Sequence, residues 1–135
     1  MTRLLPFIAL LSMAACQDEG AGVDPLAALP TGSQWQVVSV SGQPVPEGIF
    51  VTIERPEPAV LAGTSGCNRY SAALAAKDGK VSIGALAGTR MMCPPPAMET
   101  ETAFHSVIGR VTEMRQTGET LDLLAGDTVV ISARK

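Results

Sequence analysis

Four side chains in this sequence have the types needed for thiol or imidazole chemistry. The chain of 135 residues contains three cysteines and one histidine, namely Cys16, Cys67, Cys93 and His105. Cys67 stands between a glycine and an asparagine in the stretch GTSGCNRYS, residues 63–71. A cysteine in such a place can be a nucleophile with a histidine base, a metal ligand or half of a disulfide bridge. The choice depends on the compartment and on the number of thiols left unpaired.

The N-terminus has the pattern of a bacterial lipoprotein signal. Arg3 precedes an apolar run over residues 4–11, and small residues then lead to Cys16 in the sequence MAAC. This order is typical of a secretory signal, and MAAC resembles a lipobox, whose cysteine becomes the lipidated first residue of the mature protein. The apolar run is about half of the ~20 residues that a spanning helix requires. We therefore predict a signal peptide at 1–15, with an ordinary cleavable signal as the alternative.

A lipid anchor at Cys16 would hold the protein on a membrane without spanning it. Gln17 follows Cys16 where an aspartate would favour the inner membrane. We therefore expect a protein of the bacterial cell envelope, anchored in the outer membrane and facing the periplasm. The net formal charge is −3 and no basic cluster occurs, so nucleic acid is not an expected partner.

With Cys16 assigned to lipid, Cys67 and Cys93 remain as two thiols in an oxidising compartment. A disulfide between them is expected, and closing a loop of about 27 residues stabilises a domain by about 3–4 kcal/mol in the chain-entropy model. One alternative is a nucleophilic cysteine activated by His105, although a single histidine beside an apolar helical stripe is more often a surface or partly packed residue. A redox-active pair would require the C-x-x-C spacing, which is absent.

The methionines suggest a different alternative, a periplasmic Cu(I)-binding protein that uses the Met91/Met92/Cys93/Met98 cluster. Soft sulfur ligands favour Cu(I). Consecutive strand residues point to opposite faces, however, so Met91 and Met92 would not both reach one metal without a bulge. Methionine also fills gaps in protein cores. We therefore predict neither a metal nor a cofactor.

The polar residues of the chain indicate no catalytic site. The carboxylate pairs Glu99/Glu101, in the first turn of a predicted helix, and Glu54/Glu57 are interpreted as solvated charges. No phosphate-binding loop, serine triad or zinc spacing occurs. The prediction is a protein without catalytic residues, which is not an enzyme.

The residues around Cys67 favour a tight turn. Gly63 and Gly66 permit a positive φ or a close backbone approach, and asparagine also tolerates the left-handed region. We interpret Gly63, Gly66 and Asn68 as a turn that orients Cys67. The alternative is that the Asn68 amide binds a ligand.

The elements that must position these residues are mostly strands. Residues 16–33 are rich in Gly, Pro, Ala and acidic residues and are interpreted as a lipidated N-terminus with a flexible tether, which leaves one small domain at 34–135. Turn signals at Asp78-Gly79, Gly118-Glu119 and Gly126-Asp127 separate runs with a period of two, which predict half-buried antiparallel strands. The alternating apolar residues are Ile49, Val51, Ile53, Val81, Ile83, Ala85, Leu121, Leu123, Val129, Ile131 and Ala133.

One segment has the period of a helix. Phe104, Val107, Ile108 and Val111 form an apolar stripe, and prolines precede it, so a helix is predicted at 97–111 with Gly109 inside it. About eight strands and this helix predict an α+β domain, with an antiparallel sheet curled around its own core and the helix closing one side.

The combination of these motifs resembles the META domain family of HslJ-like heat-shock lipoproteins. The residues that carry the resemblance are Trp35, Gly63, Gly66, Cys67, Asn68, Tyr70, Thr89, Met91, Cys93, Glu101 and Phe104. They stand in AGTSGCNRY, in LAGTRMMC and in a helical pattern that also includes Met98 and Ile108. The resemblance implies a partly open, barrel-like sheet with an inserted helix, and it places Met98 in the core. It brings no catalytic residues, and it implies a role in envelope stress or antibiotic tolerance.

The expected function is therefore that of a non-enzymatic, lipid-anchored envelope protein. Its partners would be the membrane, through Cys16, and either a small apolar molecule or another envelope protein. In the first case, the apolar inner face of an open barrel would line the ligand cavity.

Overall fold

Ten antiparallel strands and one helix account for the regular structure of the described residues, 23–135, in a computed structural model. The elements are β1 (Gln34–Val40), β2 (Gln43–Pro44), β3 (Thr52–Glu57), β4 (Val60–Thr64), β5 (Arg69–Lys77), β6 (Lys80–Ile83), β7 (Ala87–Gly88), α1 (Pro95–Ile108), β8 (Glu113–Thr117), β9 (Thr120–Ala125) and β10 (Thr128–Arg134). The strand order is β6-β5-β4-β3-β1-β10-β9-β8, with β2 beside β1 and β7 beside β5. The α+β class with a curved antiparallel sheet is confirmed. The two strands beyond the expected eight are the two-residue pieces β2 and β7.

The sheet curls until its two edge strands approach each other. The Val81 N–H, in β6, donates a hydrogen bond of 2.9 Å to the carbonyl oxygen of Thr112, just before β8. No pairing between β6 and β8 continues this contact among the described residues, so the barrel stays partly open. The helix packs on the inner side against β1 and β10.

The hairpins follow the local turn chemistry of the sequence. Asp78 and Gly79 have φ values of 53° and 75°, and Lys77 pairs with Lys80 across them. Two consecutive positive φ angles are the requirement of a two-residue hairpin turn, and Asp-Gly meets it.

Two bulges change which residues face the core. The register of β10 against β9 shifts between Val129 and Ile131, and Val129 is exposed although it was predicted to share a face with Ile131. A second shift lies between Val37 and Ser39 in β1. A bulge inserts one residue and thereby reverses the alternation beyond it.

The helix begins two residues before and ends three residues before the predicted bounds. Pro95 and Pro96 occupy its first positions, where the missing N–H groups cost nothing, and Gly109 lies at its C-terminal cap. The prediction of Gly109 inside the helix was therefore wrong. Glu99 and Glu101 lie beyond the first turn, because the helix begins at Pro95.

Side chains fill the interior of the curled sheet. The largest fully buried ones are Trp35, Phe104, Leu29, Ile53, Leu61, Ile108, Leu121, Leu123, Leu124 and Ile131. The inner apolar face, where a ligand cavity was expected, is thus occupied by a packed core. Among the described residues, the indole Nε1 of Trp35 is the buried side-chain polar atom without a hydrogen-bond partner.

The end of the segment interpreted as a tether belongs to the folded domain. Leu26 and Leu29 are buried in the core. The guanidinium of Arg55 donates to the carbonyl oxygens of Leu29 at 2.8 Å and Leu26 at 3.4 Å. Leu26 and Leu29 thus pack this segment on the domain, although most of its other residues are small or polar. The predicted signal peptide at 1–15, Cys16 and residues 17–22 lie outside the described residues.

Candidate functional site

The loop between β4 and β5 rests directly on the first turn of α1. The Ser65 N–H donates a hydrogen bond of 2.8 Å to the carbonyl oxygen of Asn68, which closes the loop. Gly66 has a φ of +112°, and a Cβ there would lie 2.9 Å from the carbonyl oxygen of Ala97. A side chain at Gly66 would therefore push the loop off the helix. At Gly63, in β4, a Cβ would overlap the carbonyl oxygen of Thr52 in the neighbouring strand.

A disulfide joins this loop to the segment between β7 and α1. The S–S distance between Cys67 and Cys93 is 2.02 Å, and their Cα atoms are 5.9 Å apart. Both sulfurs are consumed by the bridge, so in this form neither is a nucleophile or a metal ligand.

The side chain of Asn68 holds the same segment by its backbone. Its Oδ1 accepts hydrogen bonds from the Met91 N–H and, at 2.9 Å, from Thr89 Oγ1. Its Nδ2 donates to the Met91 carbonyl oxygen at 3.1 Å and to Glu101 Oε2 at 2.8 Å. Each polar atom of the amide is thus occupied by the protein itself, which favours the structural interpretation of Asn68 over ligand binding.

Glu101 is the buried centre of this network. Its Oε1 accepts hydrogen bonds of 2.7 Å from both Ser65 Oγ and the Asn68 N–H. The prediction that Glu101 is a solvated charge was therefore wrong, because its side chain faces the loop and only 7% of the residue is exposed. Burial pushes the pKa of the Glu101 carboxyl upward, but the hydrogen bonds from Asn68 and Ser65 outweigh burial and hold the pKa below its usual value.

Ser65, His105 and Glu101 have the residue types of a hydrolase triad but not its arrangement. His105 Nε2 lies 3.1 Å from Ser65 Oγ, whose hydroxyl hydrogen goes to Glu101. In a triad the acid orients the histidine and the serine stays accessible, whereas here the serine lies between the two and is fully buried. Such a serine has no access to a substrate.

Apart from Gly63 and Gly66, which allow close backbone approach, the signature residues belong either to this network or to the core. The network, which we call the Glu101 cluster, consists of Ser65, Cys67, Asn68, Thr89, Met91, Cys93 and Glu101. Trp35, Tyr70 and Phe104 belong to the core, where the Tyr70 hydroxyl donates to the Thr52 carbonyl oxygen at 2.7 Å. Sequence reasoning missed Ser65, although it stands inside the stretch that was singled out.

A surface cleft of about 560 Å³ lies above the cluster. Met91, Met92, Met98 and His105 all line it. Residues 89–94 are not part of a strand, so the alternation expected to separate Met91 from Met92 does not apply. The placement of Met98 in the core was also wrong, because its side chain is only partly buried and faces this cleft.

Residues 23–135 contain neither a membrane-spanning helix nor a metal-binding group of His, Cys, Asp and Glu side chains. The helix of this region is too short and too polar to cross a membrane. No group of three or more His, Cys, Asp or Glu side chains in the same region is placed to hold a metal ion.

Comparison with known proteins identifies the family. The model of the META domain matches residues 27–135. The chain belongs to the META domain family. The start of the match at residue 27 agrees with the packing of Leu29 into the core of this META domain.

Known relatives of this META domain protein cover most of its length. It is 28% identical over 145 aligned positions to the heat shock protein HslJ of Escherichia coli strain K12, covering 100% of this chain and 92% of the relative. An NMR structure of a protein from Burkholderia xenovorans is similar with a TM-score of 0.63 and 26% identity, covering 84% of this chain and 88% of that one. A second NMR structure, at 24% identity and a TM-score of 0.58, covers 75% of this chain and 86% of the other and supports the fold.

Proposed function

We propose that this META domain protein is a non-enzymatic, lipid-anchored protein of the bacterial envelope that acts in envelope stress. The observation that carries the proposal is that the potentially reactive residues of the signature are already bonded to other parts of the protein. Cys67 and Cys93 are bridged, and Ser65 and Glu101 are buried in mutual hydrogen bonds. The motif therefore builds a rigid scaffold and offers no nucleophile.

The cysteines also support export to the envelope. A disulfide persists in the periplasm and is rare in a bacterial cytosol. The leader with MAAC at its end accounts for such a location and for an acylated Cys16. Gln17 after Cys16 favours the outer membrane.

The packed interior favours a protein partner over a small apolar ligand. Trp35, Phe104 and Leu61 fill the space in which an acyl chain would lie. A role in stress is further supported by the similarity to a relative that is named a heat shock protein. We propose that the anchored domain contacts another envelope protein when the envelope is stressed.

The anchor is tested by mass spectrometry of the protein purified from its own envelope. The expected mass includes acyl chains at Cys16, lacks residues 1–15, and is two hydrogens lower than that of the reduced domain. The matched variant, Cys16→Ser, should leave the membrane fraction. A protein that stays in the membrane without acylation would contradict the anchor.

The role in stress is tested by deleting the gene in the native host. Survival during heat or antibiotic exposure should fall and should be restored by the parent gene. The Cys16→Ser form should restore it poorly, because the protein would no longer be held beside membrane-bound partners. Equal survival of the deletion strain under each stress would exclude the proposed role.

A further inference from the structure

We propose that Met91, Met92, Met98 and His105 form a binding site for a soft monovalent metal ion, Cu⁺, on the surface of this domain. Three thioethers and one imidazole line a single cleft of about 560 Å³. Thioether sulfur selects Cu⁺ over harder ions, and imidazole is an accepted ligand of copper. Cys93 takes no part, because it is bridged to Cys67.

The backbone around these ligands is fixed. Asn68 binds both the N–H and the carbonyl oxygen of Met91, and the disulfide holds Cys93 two residues later. Met92 therefore lies in a short segment that is held on both sides. Methionine side chains have three rotatable bonds, so from a fixed backbone their sulfurs can still converge on an ion.

The helix supplies the other two ligands from one face. Met98, Glu101 and His105 are spaced at i, i+3 and i+7, and such residues lie on the same side of a helix. Glu101 bonds to Asn68, so this face is the one turned toward the loop. Met98 and His105 are thereby placed on either side of the Glu101 cluster, at the cleft.

The side chains of Met91 and Met92 bury little surface in the fold. Met92 is 85% and Met91 57% exposed, whereas Met114, in β8, is 6% exposed and packs in the core. Two adjacent large apolar side chains left in water contribute little to stability. Their thioether sulfurs are accessible to an ion.

Hydrogen bonding gives His105 the tautomer of a metal ligand. Ser65 Oγ lies 2.7 Å from Glu101 Oε1 and 3.1 Å from both the Asn68 carbonyl oxygen and Nε2 of His105. We assign its single hydrogen to the shortest contact, the one with the carboxylate, and Nε2 of His105 then donates to Ser65 Oγ. The proton on Nε2 leaves Nδ1 with a free lone pair. Metal-bound histidines commonly donate their other N–H to an oxygen acceptor, and Ser65 with Glu101 behind it serves as that acceptor.

The charges around the cleft admit an ion of low charge only. All four ligands are neutral, and Arg69 and Arg90 also line the cleft. Arg69 lies 3.6 Å from the carboxylate of Glu54, and the Glu101 carboxylate is the acidic group that lines the cleft. A doubly charged ion with neutral ligands would lack compensation here, whereas a monovalent one is tolerated.

The test uses Ag⁺, which shares the ligand preference of Cu⁺ and needs no reductant that would open the disulfide. It is titrated into the full chain carrying Cys16→Ser, which removes a thiol that would itself bind the ion. With ¹³C-methyl methionine, the resonances of Met91, Met92 and Met98 should shift to saturation. The resonance of Met114 should stay in place and is the internal control.

The variants assign the ligands. Replacing Met91, Met92 and Met98 together by leucine should lower the affinity for Ag⁺ by at least about 100-fold. Removing a residue that only supports a metal ligand already lowers metal affinity by up to about 100-fold, so removing three ligands should lower it at least as much. His105→Ala should weaken binding as well, and Met114→Leu should leave it unchanged. The proposal is overturned if Ag⁺ does not saturate the parent, if the triple variant binds equally well, or if His105→Ala has no effect.

Discussion

At the scale of single residues, the buried carboxylate of Glu101 organises the contacts of the GTSGCNRYS stretch. Its carboxylate accepts hydrogen bonds from Ser65 Oγ, the Asn68 N–H and Asn68 Nδ2. Asn68 in turn holds Met91. One buried acid thus connects the helix to the loop and, through Asn68, to the segment that precedes the helix. A carboxylate that could have been a general base serves instead as a structural acceptor.

We expect Glu101→Gln to lower the free energy of unfolding by about 2–4 kcal/mol. Hydrogen bonds to a charged acceptor contribute about 1.5–3 kcal/mol each, and the glutamine amide places an N–H₂ group against donors. Urea unfolding of parent and variant measures the difference. The control is Glu99→Gln, at an exposed position of the same helix, which should change stability by less than about 0.5 kcal/mol. Equal losses in both variants would show that the buried network is not the cause.

Glu101 also makes the stability of the fold depend on pH. Because the folded pKa of Glu101 lies below its ordinary value of 4.5, the stabilisation by the ionised carboxylate is fully present above that pH. This contribution is lost as the pH falls from that value through the folded pKa. The stability difference between the parent and Glu101→Gln should therefore be larger at pH 7 than at pH 3. Urea unfolding at a series of pH values measures it, and a constant difference would contradict the assignment.

At the scale of elements, the disulfide compensates for missing strand pairing. Residues 89–94 belong to no strand and link the two-residue β7 to α1. Hydrogen bonds to Asn68 and Arg69 and the Cys67–Cys93 bridge together hold this segment against the loop after β4. The bridge is therefore one of the links, beside the hydrogen bonds of Asn68 and Glu101, that hold the start of the helix against the sheet.

We expect the double variant Cys67→Ser, Cys93→Ser to be less stable than the parent by about 3–4 kcal/mol, the loop-closure entropy of about 27 residues. Denaturant unfolding without reductant measures this loss. Adding reductant should lower the parent to the level of the double variant and leave the variant unchanged. A parent that is insensitive to reductant would contradict the prediction, since its stability would not depend on the bridge.

The sequence predicted those elements whose pattern is local. The alternation in β6 and β9 and the Asp78-Gly79 turn are visible within a few residues, and the predicted strands agree with the structure there. Glu101 and its partner Asn68 are 33 residues apart, so nothing near Glu101 signals that its charge is buried. The bulge at Val129 was missed for a related reason, because its position is set by the neighbouring strand.

At the scale of the whole molecule, the proposed anchor at Cys16 would limit the distance between the domain and the membrane. Residues 24–33 pack on the domain. Seven residue steps separate Cys16 from Val23, the first described residue. A fully extended chain of this length spans at most about 25 Å. With the proposed anchor at Cys16, the domain would be held close to the bilayer.

The docked segment itself predicts where the stable domain begins. A chain starting at Gln34, the boundary suggested by composition, lacks Leu26 and Leu29 and removes two carbonyl acceptors of Arg55. Burying a leucine contributes about 1.5–3 kcal/mol, so this chain should be about 3–5 kcal/mol less stable than one starting at Val23.

Thermal and urea unfolding of the two truncated chains measure this difference. Within the longer chain, Leu29→Ala should cost about 2–5 kcal/mol through the cavity it leaves, whereas Val23→Ala, at an exposed position, should cost less than about 0.5 kcal/mol. Equal stability of the two truncated chains would show that residues 23–33 behave as the tether that their composition indicates. If the chain starting at Gln34 is less stable than the chain starting at Val23, the folding unit begins before Leu26.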